Sequence, residues 1–177
     1  MKDLIIRLAQ AAGPSGAEGN VRALLREAVA PHADEVREDV LGNLIVSKKG
    51  TGQARKHLML VAHMDEPGLM INHVESDGFL RIVPAGGFEG KDAGYLVGRR
   101  VIFTNGVRGV VASSHVNSIG DLTHASLFVD IGATSKEEAL SRVGIGDFCA
   151  LDEQVLELSA NLLVGKALDN RAGCAAA

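Results

Sequence analysis

The sequence predicts an incomplete α/β layer interrupted by an inserted β-rich domain, and three observations carry that reading. Residues 1–66 hold two helical periods and about three strands. Residues 67–164 hold short strands punctuated by glycine, with almost no helical period. Residues 165–177 turn from a strand end into a small-residue helix, as though the first layer resumed. A layer of that size leaves its apolar strands short of cover, so either the partner elements come from another chain or the sequence has lost them.

Residues 2–11 place Leu4, Ile5, Leu8 and Ala11 on one helical face, and Ala12-Gly13-Pro14 stops the run. Ser15 has Glu18 three residues on, the spacing of a capping box, which predicts a second helix with Val21, Leu24, Leu25 and Val29 as its apolar stripe. Residues 35–40 and 43–47 read as short strands joined at Leu41-Gly42, and the polar stretch 48–55 reads as a loop. In residues 57–62 five consecutive apolar residues follow His57, the pattern of a strand buried on both faces, and it is expected to be a central strand of the α/β sheet. Six strands are then expected at 69–74, 78–83, 100–104, 106–112, 127–130 and 148–151. One short helix interrupts them at 135–140, with Ser135 as its N-cap and Glu138 at capping-box spacing.

Composition narrows the function classes. Hydrophobic residues make up 46% of the 177, an ordinary globular share that argues against wholesale disorder. With 5 Phe, 1 Tyr, no Trp and a formal net charge of -4, the chain lacks both the stacking platforms and the basic surface that nucleic-acid binding uses. The 21 glycines exceed the roughly 7% typical of globular chains and point to many tight turns. Cys149 and Cys174, outside any CxxC pair, fit a reducing compartment; Asp3 and Arg7 break the apolar start that a secretory signal would need. No stretch approaches the ~20 apolar residues of a membrane span, so the expectation is a cytoplasmic protein with no membrane and no nucleic-acid partner.

Two places can carry chemistry. His63-Met64-Asp65-Glu66 follows the expected strand 57–62, and ligands in open α/β sheets bind beyond the carboxyl ends of strands. His63 and Asp65, two apart in extended chain, project to one side, where an imidazole and a carboxylate serve as a metal ligand and the group that orients it. A hydrogen-bonded histidine at a strand end is the competing reading. Asp169 at the start of the last helix is either an N-cap or a carboxylate able to bridge two metal ions. His32, His57, His73, His115 and His124 show no ligand spacing and read as surface or core residues. Gly13-Pro14-Ser15-Gly16 and Gly86-Gly87 match no phosphate loop and read as turns. No GxSxG elbow is present, and Cys174, in a run of small residues, reads as an inert buried cysteine.

Taken together, Ala11-Ala-Gly-Pro-Ser-Gly-Ala-Glu18, Asp39-Val-Leu-Gly-Asn-Leu44, Val61-Ala-His-Met-Asp-Glu66 with Gly68, Ser76-Asp-Gly-Phe-Leu80, Gly98-Arg-Arg-Val101, Leu127-Phe-Val-Asp-Ile-Gly-Ala133, Gly144-Ile-Gly-Asp147 and Lys166-Ala-Leu-Asp-Asn-Arg171 resemble the M42 family of metallo-aminopeptidases, the tetrahedral aminopeptidases related to glutamyl aminopeptidase. The resemblance runs over essentially all 177 residues. It implies a two-metal enzyme that hydrolyses N-terminal residues from peptides. The implied architecture is an α/β catalytic domain interrupted by a β-rich, PDZ-like dimerisation domain, assembled as dimers and dodecamers. By the same resemblance His63 ligates one ion, Asp65 serves catalysis by orienting His63, and Asp169 bridges two divalent ions, zinc or cobalt. Such ions polarise the scissile carbonyl and lower the pKa of a bound water.

The pattern also departs from the family. The general-base Glu, its neighbouring ligand Glu, a further Asp and a second His of the family lie after the position of Ala177, and Pro67 stands where an aliphatic residue is usual. The chain by itself is therefore expected to bind metal weakly and to leave peptides intact. Two other readings stand beside this one. Residues 67–164 can form a non-enzymatic β module for dimerisation or partner binding. An endoglucanase label, carried by some relatives, requires two carboxylates at a defined separation that the sequence does not supply.

Overall fold

The computed structural model describes residues 1–52, 56–88 and 93–177. Helices α1 (Lys2–Gln10) and α2 (Gly19–Val29) pack through the stripes expected of them. Leu8, Val21 and Leu25 form a small buried core with Leu4, Ala11, Leu24 and Leu44 against it. The hairpin of β1 (Glu35–Glu38) and β2 (Leu44–Ser47) is antiparallel and pairs Glu35 with Ser47. Its strands are shorter than the sequence suggests because Asp39 leaves the ladder to hold the turn, its Oδ1 accepting from the amides of Leu41 and Asn43 at 3.0 and 2.9 Å. Of the loop expected at 48–55, residues 53–55 lie outside the described residues.

The expected central strand at 57–62 is not one. Residues 56–65 belong to no helix or strand, and Leu58, Met59, Leu60 and Val61 are 85, 83, 60 and 76% exposed. Five apolar residues in a row state a preference for burial, but a strand also needs hydrogen-bonding neighbours and layers on its faces. The first pairing along this stretch comes at Glu66, which forms an isolated parallel bridge with Pro14.

The β domain matches its expectation closely. Strands β3 (Gly68–Val74), β4 (Leu80–Ala85), β5 (Arg100–Phe103), β6 (Arg108–Ser113), β7 (Leu127–Asp130) and β8 (Phe148–Leu151) close into an antiparallel barrel in the order β3-β4-β7-β6-β5-β8. Alternate residues point inward, as Val101 and Phe103 on β5 and Leu127 and Val129 on β7 show. Phe103 is fully buried, a contribution on the order of 1.5–3 kcal/mol for one such side chain. A short helix α3 (Ala93–Leu96) adds Ala93 and Leu96 to this core. Helix α4 (Lys136–Leu140) starts as expected, with Ser135 Oγ accepting from the Glu138 amide at 3.2 Å.

After the barrel, β9 (Leu156–Ser159) and β10 (Leu162–Val164) form a separate antiparallel pair, followed by α5 (Leu168–Ala176). Helix α5 packs on α1, which brings the end of the sequence back to its beginning. No helix among the described residues is long and apolar enough to cross a membrane.

Candidate metal centre

The site lies where three pieces of chain meet: the turn after α1, the extended stretch 63–66, and the first turn of α5. His63 and Asp65 share one side of the extended stretch, and the His63 Nδ1 is 2.8 Å from Asp65 Oδ1. The other ring nitrogen, Nε2, faces Asp169 Oδ1 at 3.1 Å across 106 residues of sequence. Asp169 lies within α5 but has φ -89° and ψ 108°, outside the helical region, and the Asp169–Asn170 peptide is cis. Asp169 makes no side-chain cap on the helix, whose N-cap is Ala167 at φ 54°. Cys174, one turn along α5, donates its thiol to the His63 carbonyl at 3.2 Å. It is half-buried, not buried as expected, and burial raises its thiol pKa above the ordinary value.

Ser15 corrects a second expectation. Helix α2 begins at Gly19 with Glu18 at the N-cap, and the Ser15 hydroxyl donates instead to Asp65 Oδ2. That hydroxyl, ahead of the imidazole of His63, holds the Asp65 carboxyl below the usual range against the opposing effect of burial. Burial acts to lower the His63 imidazole, but the hydrogen bonds and charges of Asp65 and Asp169 outweigh it and leave it raised.

Behind these residues sits a buried charge cluster that sequence reasoning gave no role. Glu66 accepts from Lys166 Nζ at 2.8 Å on each oxygen, and its Oε1 also meets the Gly13 amide at 3.2 Å and Arg171 Nη2 at 3.4 Å. Arg171, fully buried on α5, donates to the carbonyls of Leu8 and Ala11 at the end of α1, at 2.6 and 3.3 Å, and to that of Gly13 at 3.3 Å. One guanidinium thus ties α5 to the orphan carbonyls of α1. Burial, partly offset by Glu66, lowers the pKa of both Lys166 and Arg171. A charge directly after an apolar run and an arginine inside a small-residue helix were the available signals, since such charges persist only when paired.

The donor chemistry suits a divalent cation. With its Nδ1–H donating to Asp65, a neutral His63 presents a lone pair at Nε2, and two lone pairs facing each other attract only through a cation or an added proton. Ligand atoms at about 2.0–2.2 Å from one ion stand roughly 2.8–3.6 Å apart for angles between a right angle and the tetrahedral one, which includes the 3.1 Å observed between His63 Nε2 and Asp169 Oδ1. Among the described residues, no group of three or more His, Cys, Asp or Glu side chains is arranged to enclose an ion. The donors are open, with the His63 and Asp169 side chains 56 and 94% exposed.

The family model for M42 glutamyl aminopeptidase matches residues 42–177. A lysyl aminopeptidase of Pyrococcus furiosus is 36% identical over 162 residues, covering 82% of this chain and 45% of that protein. Among solved structures, one described as an endoglucanase of Thermotoga maritima superposes with a TM-score of 0.85 at 34% identity, over 96% of this chain and 51% of that one. The TET1 peptidase of Pyrococcus horikoshii, described as able to assemble into a tetrahedron or a large octahedral shell, gives 0.84 at 30% identity over 99% of this chain and 53% of that one. The chain spans about half the length of the relatives it matches.

Proposed function

Because the chain belongs to the M42 glutamyl aminopeptidase family, we propose that it supplies part of the active site of a metal-dependent aminopeptidase that releases N-terminal residues from peptides. The observation that carries this reading is the approach of His63 Nε2 to Asp169 Oδ1 at 3.1 Å with Nδ1 tied back to Asp65. His63 and Asp169 would hold a divalent ion, zinc or cobalt, and Asp169 would serve a second ion as well. Asp65 fixes the ring and its tautomer. When bound, such an ion supplies Lewis-acid chemistry, polarising a peptide carbonyl and making water nucleophilic at neutral pH. The exposure of the donors leaves room for a peptide N-terminus and for further ligands.

Catalytic zinc sites use about three protein ligands, and two are gathered among the described residues. The 177-residue chain alone is therefore proposed to bind metal weakly and to hydrolyse no peptide, a complete site needing further ligands and a general base. Titrating Zn²⁺ or Co²⁺ into the chain and into His63→Ala tests the site. Loss of binding in the variant is expected, and equal binding would overturn the reading. An assay for N-terminal residue release, with metal and with chelator, tests the second part, and robust metal-dependent release by this chain would sink it.

The endoglucanase name carried by one similar structure receives no support from the geometry. Asp65 and Asp169 both engage the one imidazole of His63, whereas a glycosidase pair has to flank a sugar. The reading of residues 67–164 as a module with a core of its own is supported by one observation. Among the described residues the barrel encloses a buried core separate from the small cluster beneath the site. Sedimentation of the purified chain distinguishes the two possibilities: a dimer is expected, and a strict monomer at high concentration argues against it.

A further inference from the structure

We propose that Ser15 is a positioning residue of the metal centre. By donating to Asp65 Oδ2 it fixes the carboxylate whose other oxygen accepts from His63 Nδ1, and so holds the ring with Nε2 aimed at Asp169. The inference rests on the metal-binding reading of His63 and Asp169 and extends it two bonds outward.

The terminal torsion of an aspartate is broad and nearly two-fold, so a carboxylate held only by His63 can turn and exchange its oxygens. An ionised carboxylate offers acceptors alone, so the Ser15 hydroxyl has to donate to it, and the second oxygen is then committed. With both oxygens engaged, Asp65 faces His63 purely as an acceptor and holds the ring by its Nδ1–H, leaving Nε2 as the atom turned toward the metal position.

Ser15 is itself placed by backbone from three parts of the chain. Its amide donates to the Glu66 carbonyl at 3.2 Å, and the Glu66 amide donates to the Gly13 carbonyl at 3.1 Å, which forms the parallel bridge between Pro14 and Glu66. On its far side the chain just after β4 closes over the hydroxyl. Gly86 has φ +84°, and a Cβ added there would stand 2.7 Å from Ser15 Oγ. The hydroxyl has no local duty that would explain it, since α2 starts four residues later and is capped by Glu18 without a side-chain bond. A turn residue after α1, read from sequence as a helix cap, thus becomes the third member of a chain running Ser15, Asp65, His63.

The test uses the 177-residue chain with Ser15→Ala, Ser15→Thr and His63→Ala. The Nδ1–H of His63 is followed by ¹⁵N–¹H correlation of the ring in Zn²⁺-loaded protein, and Zn²⁺ affinity is read by titration. Wild type is expected to show a resolved, slowly exchanging Nδ1–H. Ser15→Ala should lose that protection from exchange and bind Zn²⁺ about tenfold more weakly, the lower end of the range for loss of an outer-shell partner. Ser15→Thr, which keeps the hydroxyl, should restore both. An equally protected Nδ1–H in Ser15→Ala, with affinity within about twofold of wild type, overturns the proposal. His63→Ala separates the two ideas: if it binds as well as wild type, the metal reading fails and the role of Ser15 falls with it, whereas if it loses binding while Ser15→Ala behaves as wild type, the role of Ser15 alone fails. Should Ser15→Ala not fold, Ser15→Cys, close in shape but a much weaker donor, carries the same expectations.

Discussion

Lys166 Nζ lies 2.8 Å from both carboxylate oxygens of Glu66, and the two side chains are only 5 and 3% exposed. Among the described residues Glu66 is the carboxylate in ion-pair contact with two buried cations, because Arg171 also reaches it. Removing Glu66 takes from both cations their contacting anion among the described residues, in a buried place. Glu66→Ala is therefore expected to cost about 3–5 kcal/mol, a loss visible in the urea unfolding midpoint. Truncating Lys166 as well should recover part of that loss, since one of the stranded charges is removed. Additive losses in the double variant would contradict this picture.

Gly68 starts the barrel directly against the turn after α1. A Cβ built there would meet Pro14 Cβ at 2.3 Å and the Cys149 carbonyl at 2.8 Å, and neither can move aside cheaply. Gly68→Ala should destabilise the chain by about 1–3 kcal/mol. Gly50→Ala, where an added Cβ meets nothing within 4 Å, serves as the control and should stay within about 0.5 kcal/mol of wild type. Equal unfolding midpoints for the two variants would show that the junction has more room than this packing implies.

Acid should loosen the barrel through Glu138. Its carboxyl is held below the ordinary range, first by the Thr134 amide and then by the Thr134 hydroxyl, with Arg142 adding to both. A carboxyl with a depressed folded-state pKa stabilises the fold above its unfolded value, near 4.3, and that stabilisation is lost as pH falls through the folded value. Thermal melts of wild type should drop between pH 6 and pH 3. Glu138→Gln should start lower at pH 6 and fall less steeply. Parallel curves for the two proteins would remove Glu138 from the explanation.

How far the sequence discloses the fold depends on how local each signal is. The barrel strands are legible because inward Val101 and Phe103 alternate with outward neighbours and a glycine turn follows, Gly106 at φ +92°. The Ser135 cap is legible because its partner, Glu138, is three residues away. Ser15 carries the same spacing and fails, because Asp65, 50 residues on, captures its hydroxyl. His63 and Asp65 are found through two-residue spacing, but nothing local links them to Asp169, 106 residues later. Only the family pattern joins those two.

The stretch at 58–61 gives the sharpest contrast between preference and placement. Its four apolar side chains read as a doubly buried strand, and all are mostly exposed. In a central strand, lysine at Leu58 and Leu60 would bury two charges and unfold the layer. In the observed arrangement these side chains have little burial to lose, so Leu58→Lys/Leu60→Lys should leave the unfolding midpoint within the ±0.5 kcal/mol typical of surface changes. The same variant should be more soluble, because a contiguous exposed apolar run promotes association and two charges interrupt it. Chemical denaturation together with light scattering over a concentration series reads both effects. A loss of several kcal/mol would mean that the stretch is buried in solution, paired with another chain or with a second copy of this one.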